Sequence, residues 1–437
     1  MKKIRIIQLV AVVFFTVSGG PYGLEPLLGF AGQHGALLLL LLTPLCWDIP
    51  AIFTVLELNS MMPVTGGYYK WVKYALGTRW GFYEGWWTWL YTFVDLAIYP
   101  VLFVTYLGYF VPDINAYQRY FICLAFIWSS AGLNILGIVP VGKVSLILGA
   151  IVLTPFVILV GLAFYHHTGG LTLPSPSLKG ITLPSLGMAL YTVMWNCLGW
   201  DNTTTYAEEV ENPIRSYLVS TLSAFALVIV VYFLVIWVSQ LSGINAAKLS
   251  NEGFPVLGEV ISGRWLGALI AIGGMASAIG IYASVLLSVS RVPMVMAEDE
   301  LLPAKLNKRH KRFKTPYISI IVCSVVVSGM VLWGFTDLLI IDVTIYGAGL
   351  ALEYIALIRL RIKEPETHRP FKIPLGIPGL CIGLIFPVTV YVIALAGAFS
   401  SAKGAVAAAL FAIGLLLSAG RLWRIIGWYK RIRTKPS

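Results

Sequence analysis

The chain has 437 residues, of which 58% are hydrophobic and 12% are charged; its mean hydropathy is +0.83 and its formal net charge is +11. Such an apolar composition cannot cover a water-soluble surface, so it excludes an ordinary soluble protein and predicts a protein embedded in a lipid bilayer. The five cysteines lie singly in apolar stretches, without a CxxC pair or a histidine cluster. We therefore expect no disulfide framework, no metal site and no cofactor.

Apolar runs of about 20 residues, the length that crosses a bilayer, recur through the chain. The first run has the basic start and small-residue end of a secretory signal, but Pro21 would stand near the new terminus and further runs follow at once. We therefore interpret it as the first span. Short connections between the runs predict one membrane domain, 1–437. The twelve predicted spans are about 6–32, 36–60, 81–110, 119–138, 143–166, 183–206, 216–241, 265–297, 316–334, 337–360, 375–398 and 404–425.

Basic residues fall mostly on one side of these spans. If the N-terminus is inside the cell, five of the 31 lysines and arginines lie on outer loops and the other 26 lie on the inner side. Positive charge is retained on the cytoplasmic side, so this distribution predicts cytoplasmic N- and C-termini and a location in the plasma membrane. It also explains the net charge without a nucleic acid partner. The outer residues are Arg119, Lys179, Lys248, Arg264 and Lys403.

Two predicted spans are interrupted by glycine-containing segments. Span 1 breaks at SGGPYG, residues 18–23, and span 6 breaks at WNCLGWDN, residues 195–202. The breaks occupy mirror positions across the membrane. Matching interruptions in two halves of a chain indicate an inverted-repeat transporter with a substrate site at the midplane. We therefore predict five-span repeats over about 6–166 and 183–360. The alternative is two glycine-kinked helices that pack closely.

Carboxylates lie within several predicted spans, and no lysine or arginine lies at mid-span to pair with them. An ionised carboxylate near the bilayer centre costs about 2.5–3.5 kcal/mol, so each must bind a cation, carry a proton or face water. The candidates for proton coupling are Glu25, Asp95, Asp201 and Glu353. A structural role at a helix end is favoured for Glu57, Glu84 and Asp342.

Helical spacing aligns polar and aromatic side chains with these acids. Glu84, Thr88, Tyr91, Asp95 and Tyr99 recur at steps of three or four residues and so share one face of span 3. Aromatic rings close to the breaks can stack over an ammonium group. The candidate substrate-binding residues are Gly19, Gly20, Tyr22, Gly23, Glu25, Tyr91, Asp95, Trp195, Trp200, Asp201 and Tyr282.

Six segments together resemble a known family. They are GGPYGLEP, MMPVTGGYYKWV, DLAIYPVLF, WDNTTTYAEEVENP, MAEDELLP and HRPFKIPLGIPG. In this order they are similar to the amino acid-polyamine-organocation superfamily, and within it to the plant and protozoan polyamine-proton symporters. The resemblance implies the leucine-transporter fold, an all-α integral membrane fold in which helices 1 and 6 are broken. It has ten helices in two inverted repeats and two peripheral helices, here about 375–425. The resemblance also implies that Glu25, Asp95 and Asp201 match acidic positions of those symporters.

The chain departs from that pattern in two places. Predicted span 8 reads IYASVLLSVSR, without the further acidic residues of those symporters, and Thr105 stands near the position of their second aspartate. The cavity is therefore expected to be less negative than theirs, which leaves polyamine selectivity open. Span 5 has no basic residue beyond its first turn, so it lacks the lysine with which other superfamily members couple to protons.

The expected function is secondary active transport of a small amine-bearing solute by alternating access, without enzymatic turnover. Proton-coupled uptake of a polyamine or related organic cation is the first hypothesis, and an amino acid permease, either symporter or exchanger, is the second. Pro21 removes one N–H donor from the break where a substrate carboxylate would bind, and Glu25 and Asp201 add negative charge. A channel would need a continuous polar pore and an intramembrane enzyme would need catalytic residues, and the sequence indicates neither.

Overall fold

The structure, a computed structural model, describes residues 3–166, 175–332 and 335–433. Within these ranges the chain is helical, with turns, loops and two isolated β-bridges between the helices. A helix satisfies its own backbone polar groups, which lipid cannot do. The helices are α1 (Ile6–Val17), α2 (Glu25–Thr43), α3 (Ile49–Met61), α4 (Gly67–Leu76), α5 (Thr78–Leu107), α6 (Ala116–Leu136), α7 (Ile138–His166), α8 (Leu183–Asn196), α9 (Pro213–Leu241), α10 (Ala246–Glu252), α11 (Phe254–Ser262), α12 (Arg264–Val289), α13 (Arg291–Glu298), α14 (Tyr317–Met330), α15 (Phe335–Lys363), α16 (Ile377–Gly383), α17 (Ile385–Phe399) and α18 (Lys403–Arg433).

Nine helical stretches in the described part of the chain are long and apolar enough to cross a bilayer. Helix is present in all twelve predicted spans, but three of the corresponding helices are shorter than a full span: α1, α8 and α14 have 12, 14 and 14 residues. Helices α1 and α8 are short because the two predicted breaks end them. The all-helical membrane architecture is therefore confirmed at this level.

Predicted spans 1 and 2 meet in one helical stretch. Residues 25–61 continue without a loop through a kink at Gly32 and a π-helical turn at Pro44–Asp48. Gly32 has φ +63°, a conformation that side chains disfavour, so glycine permits the sharp change of direction. The predicted boundary between the two spans falls at this kink.

Helices α5, α12 and α15 form the centre of the bundle. Their side chains are mostly buried, and α5 packs against both α12 and α15. The segment between predicted spans 7 and 8 is not a plain connection, because it forms α10 and α11, which pack against α2 and α12 respectively. The interrupted helices α1 and α8 lie beside this centre.

One end of the bundle, which we call the basic face, carries residues 3–5, 62–66, 206–212 and 299–316. Here the backbone of Ile4 pairs with the segment after the second break: Ile4 N donates to Glu209 O at 2.9 Å and Glu211 N donates to Ile4 O at 3.1 Å. Arg291, which is 2% exposed, binds Glu209 at 2.7 Å. Gly66 N also donates to Thr205 O at 2.8 Å. These bonds close the basic face over the centre of the molecule.

A charged cluster around Asp299 fixes α4 to the loop after α13. The carboxylate accepts bonds from Lys70 Nζ at 2.9 Å, Lys73 Nζ at 2.8 Å and the Tyr69 hydroxyl at 2.6 Å. Burial by itself raises the pKa of Asp299, but the bonds from Lys73, Tyr69 and Lys70 outweigh it and leave the pKa below its ordinary value. The ionised form of this carboxylate therefore stabilises the basic face.

Candidate substrate site

The first break is a short irregular segment between α1 and α2. Gly19 and Gly23 have φ values of +65° and +89°, in the left-handed region that glycine enters readily. A Cβ atom on Gly23 would lie 2.6 Å from the Trp195 ring, so the break also allows the backbone to approach that side chain closely. The sequence prediction of an interruption at residues 18–23 is confirmed.

Tyr22 and Glu25 are held firmly at this break. The Tyr22 hydroxyl donates to Ile270 O at 2.8 Å, and its ring packs against Tyr106 and Phe156. Glu25 Oε1 accepts from the Tyr106 hydroxyl at 2.6 Å, and Glu25 Oε2 accepts from Gly23 N at 2.7 Å. Glu25 is 6% exposed and borders a cavity of about 610 Å³ that lies towards α10 and α11.

The second break follows α8, and the two breaks are bonded to each other. Asn196 Nδ2 donates to Gly23 O at 3.1 Å. The Tyr232 hydroxyl of α9 lies 2.6 Å from Ser18 Oγ and 2.9 Å from Asn196 O, so it contacts both breaks. The chain then continues as short 3₁₀ turns from Asn202 onward instead of an α-helix.

A small cavity of about 10 Å³ lies between the breaks. That volume holds about one water molecule, so an amine substrate can occupy the position only if the surrounding side chains move. Four helices surround it: the interrupted helices α1 and α8, and the central helices α5 and α12. Its lining residues are Val17, Ser18, Tyr99, Trp195, Asn196 and Ile281.

Asp95 lies at this central level. Its Oδ1 accepts from the Tyr99 hydroxyl at 2.5 Å and from Trp195 Nε1 at 3.2 Å, and the side chain is 1% exposed. Asp342 of α15 is within electrostatic range of Asp95, is fully buried, and has no hydrogen-bond partner for either carboxyl oxygen among the described residues. The interpretation of Asp342 as a helix-end residue is therefore wrong, because it lies inside the bundle.

Asp201 lies closer to the basic face. Its Oδ1 accepts from the Tyr346 hydroxyl at 2.9 Å, and Glu353, about two turns further along α15, interacts with it electrostatically. The Tyr91 hydroxyl donates to Asn202 Oδ1 at 2.8 Å and so fixes the next residue of the segment. Glu353 and Asp201, both candidates for proton coupling, thus lie near each other, at a different level from Asp95.

Two predicted site residues point away from the others. Tyr282 packs against Phe126 of α6, with ring centroids 5.3 Å apart, and its neighbour Ile281 contacts the first break instead. Successive helical residues differ by about 100° in direction, which explains why the adjacent residue faces the cavity. Trp200 donates from Nε1 to Asp48 Oδ1 at 3.1 Å, behind the second break. Neither side chain lines the small cavity between the breaks, and their assignment to the substrate site stays a prediction.

Several residues of the site were missed by sequence analysis. Tyr232 and Asn196 join the breaks, and Ser18 accepts from Gly20 N at 3.0 Å within the first one. Tyr232 could have been noticed, because a hydroxyl in the middle of the apolar run VIVVYFLVIW needs a partner in lipid. Asn196 lies in the quoted break, but nothing in the sequence pairs it with Gly23.

Glu57 agrees with the structural role expected for it. It forms a bidentate ion pair with Arg361, at 2.5 and 2.6 Å, and also lies 3.4 Å from Arg369 Nε. Its charge is therefore neutralised near the basic face, and it takes no part in the candidate site.

The chain is similar to a known class of membrane proteins. A family model described as Amino acid permease matches residues 6–417, which is nearly the whole chain. The chain therefore belongs to this family of membrane transporters, within the amino acid-polyamine-organocation superfamily that the six sequence segments indicated. It is a transporter and not an enzyme.

Individual relatives extend this similarity along the chain. Polyamine transporter RMV1 of Arabidopsis thaliana is 33% identical over 428 residues, which cover 95% of this chain and 85% of that protein. Polyamine transporter PUT1 of Oryza sativa subsp. japonica is 32% identical over 430 residues, which cover 95% and 78% respectively. The Uncharacterized transporter lpg1691 of Legionella pneumophila subsp. pneumophila is 27% identical over 372 residues, 76% of each chain.

Proposed function

We propose that this transporter moves a polyamine or a related organic cation across the plasma membrane by alternating access, coupled to protons. The proposed architecture has twelve spans in one domain, 1–437, with inverted repeats over about 6–166 and 183–360 and peripheral helices over about 375–425. The substrate site lies between the two breaks, and both termini are cytoplasmic. The names of the relatives RMV1 and PUT1 support the substrate class.

The observation that carries the cation proposal is the state of the backbone donors in the first break. Gly19 N donates to Phe14 O at 3.0 Å, Gly20 N donates to Ser18 Oγ at 3.0 Å, and Gly23 N donates to Glu25 Oε2 at 2.7 Å. A substrate carboxylate that binds at this helix terminus would need such donors. Here the carboxylate of Glu25 already takes one of them, which favours a substrate that has amines and no carboxylate.

The central carboxylates supply the matching charge. Asp95 and Asp342 lie at the level of the small cavity. Among the described residues, the hydrogen-bond donors of Asp95 are neutral and Asp342 has none. An ammonium group placed between the breaks would therefore be the cation that these acids lack. The rings of Tyr99 and Trp195 stack with their centroids 6.1 Å apart, and they can pack against the methylene chain of the substrate next to its ammonium group.

The second candidate function is an amino acid permease, and the description of the matching family favours it. For that function a substrate carboxylate must displace the internal partners of the break donors. The two candidates therefore differ in whether Glu25 stays bound to Gly23 N during transport.

The test is uptake by purified protein in proteoliposomes. Labelled putrescine, spermidine and a panel of amino acids are compared with and without an inward proton gradient, with empty liposomes as background. Glu298→Gln, at a surface ion pair with Arg309, serves as a matched control for loss of one carboxylate. We expect saturable, gradient-stimulated uptake of a polyamine. Uptake of an amino acid alone would support the second candidate, and uptake of neither would contradict both.

The topology is tested separately by labelling single cysteines from outside the cell. We expect Lys179→Cys and Lys248→Cys to react with an impermeant reagent and Lys308→Cys to remain protected, because the charge distribution predicts that only the first two lie outside. The reverse pattern would contradict cytoplasmic termini.

A further inference from the structure

Helices α5 and α15 carry carboxylates with the same spacing. Glu84 and Asp95 lie on α5, and Asp342 and Glu353 lie on α15, in each case eleven positions apart in the chain. Eleven residues make about three helical turns and about 16 Å, so the two acids of each helix share one face. Asp342 is within electrostatic range of Asp95, and Glu353 is within range of Glu84. The four acids therefore form two layers, and the Asp95 layer is joined to the small cavity through Tyr99 and Trp195, which line the cavity and donate to Asp95.

Asp201 completes the second layer, and the resulting cluster of Glu84, Asp201 and Glu353 is almost fully buried, with exposures of 1%, 2% and 1%. Helix α15 holds Glu353 beside the other two acids: Tyr346, about two turns before it, donates to Asp201 Oδ1 at 2.9 Å, and Glu353 interacts electrostatically with Asp201 and Glu84. Glu84 Oε2 and Glu353 Oε2 have no hydrogen-bond partner within the ranges that the structure describes. Two unsatisfied carboxyl oxygens at this depth indicate a missing partner.

Among the residues that the structure describes, no cation near the cluster is available as that partner. The titratable groups that face the cluster are tyrosines: Tyr68 of α4, Tyr91 of α5, and Tyr346 and Tyr354 of α15. Four basic side chains on the neighbouring helices α4, α13 and α15, within the described residues, could approach the cluster. Each of them already forms an ion pair with another carboxylate. They are Lys70 and Lys73 with Asp299, Arg291 with Glu209, and Arg361 with Glu57.

The packing favours a proton over a larger cation. Glu84 Oε1 lies only 3.0 Å from where a Cβ atom on Gly349 would be, so the carboxyl group rests directly on the backbone of α15. Among the described residues no group of three or more ligating side chains has the geometry of a metal site. Neighbouring buried carboxyl groups repel each other when all are ionised, so they favour holding a proton between them, and a proton requires no cavity.

We propose that Glu84, Asp201 and Glu353 form a single proton-sharing site, distinct from the carboxylates that bind the substrate amine. This inference rests on the proposed function in one respect, namely that the shared proton is the one coupled to substrate transport. Asp201 immediately precedes the 3₁₀ turn Asn202–Thr205, whose last residue bonds to Gly66 at the basic face. Release of the shared proton leaves like charges together, and their repulsion displaces Asp201 and the turn attached to it. Proton release is thereby linked to opening of the basic face.

Infrared difference spectroscopy on the purified full-length protein tests the shared proton without any substrate. Spectra of wild type, Glu84→Gln, Glu353→Gln and the control Glu298→Gln are compared at one pH in H₂O and D₂O. We expect both cluster variants to lose or shift a C=O stretching band of a buried protonated carboxyl group, while the control retains it. An unchanged band in both cluster variants would overturn the proposal. If Glu84→Gln does not fold, Glu84→Asp replaces it and must shift the same band.

Charge transport in proteoliposomes then separates coupling from substrate binding. With whichever amine is transported, we expect the two cluster variants to move about one charge fewer per substrate, with the substrate KM within about threefold of wild type. A KM that rises tenfold at unchanged charge per substrate would place the cluster in the substrate site instead and overturn the proposal. Because the infrared result needs no transport, failure of the polyamine proposal would leave it standing.

Discussion

Replacing Asp95 by asparagine separates the two substrate classes. The side chain is 1% exposed and accepts bonds from Tyr99 and Trp195, at 2.5 and 3.2 Å. Asparagine has nearly the same shape, and its Oδ1 can accept the same two bonds, so the variant removes the negative charge and keeps the local packing. A hydrogen bond to a charged group contributes about 1.5–3 kcal/mol. That energy corresponds to a loss of about 10- to 150-fold in affinity for a polyamine.

The assay is equilibrium binding of labelled spermidine to purified wild type, Asp95→Asn and the control Glu298→Gln at neutral pH, with a neutral amino acid as a parallel ligand. We expect only Asp95→Asn to lose spermidine affinity. A neutral amino acid held by backbone groups of the breaks should change by less than about threefold. The reasoning is refuted if Asp95→Asn binds spermidine as wild type does while its fold is intact, or if the amino acid binds more tightly than spermidine to both proteins.

Three further variants test the breaks and the basic face. Gly199→Ala should reduce transport severely while the protein still inserts, because Gly199 has φ +94° and a Cβ there would lie 3.2 Å from Thr16 O; near-normal uptake would show that the backbone can relax. Tyr232→Phe should lower the free energy of unfolding by about 1–3 kcal/mol, since it removes the hydroxyl that bonds to buried polar groups of both breaks, and thermal melts measure this loss. Asp299→Asn should lower the melting temperature at pH 7. Because the pKa of Asp299 is lowered in the folded state, this difference should shrink as the pH falls below about 4, and a difference that is constant with pH would contradict it.

The helical architecture and the breaks were predictable because both follow from local chemistry. The length of an apolar run predicts a helix that crosses the bilayer. Gly19 and Gly23 indicate backbone conformations that other residues disfavour. The stripe on α5 was predictable from helical spacing alone, and its members Tyr91 and Asp95 are indeed buried on the inner side of the bundle. These inferences needed no knowledge of which helices are neighbours.

The partners of these residues were not predictable, because they depend on long-range packing. The sequence does not reveal that Asn196 bonds to Gly23 O, or that Ile4 pairs with residues 209–211. Helix-face direction was the other weak point: Tyr282 lies one residue beyond the position that faces the break. The antiparallel alignment of α5 and α15 likewise decides that Glu84 meets Glu353, and equal spacing on two separate helices cannot decide it.

The stretch from Asn196 to Thr205 connects the parts of this transporter that alternating access would have to move together. At its start, the Asn196 side chain bonds to Gly23 O across the cavity at 3.1 Å. In its middle, Asp201 accepts from the Tyr346 hydroxyl of α15 at 2.9 Å and interacts electrostatically with the buried carboxyl group of Glu353. At its end, Thr205 O accepts from the basic face at 2.8 Å. The stretch is irregular or 3₁₀ over most of this length, so it can change shape without unfolding a helix. In the proposed mechanism, a substrate that moves the first break and a proton that leaves the carboxylate cluster would therefore act on the same ten residues, which would couple the two events without a longer pathway.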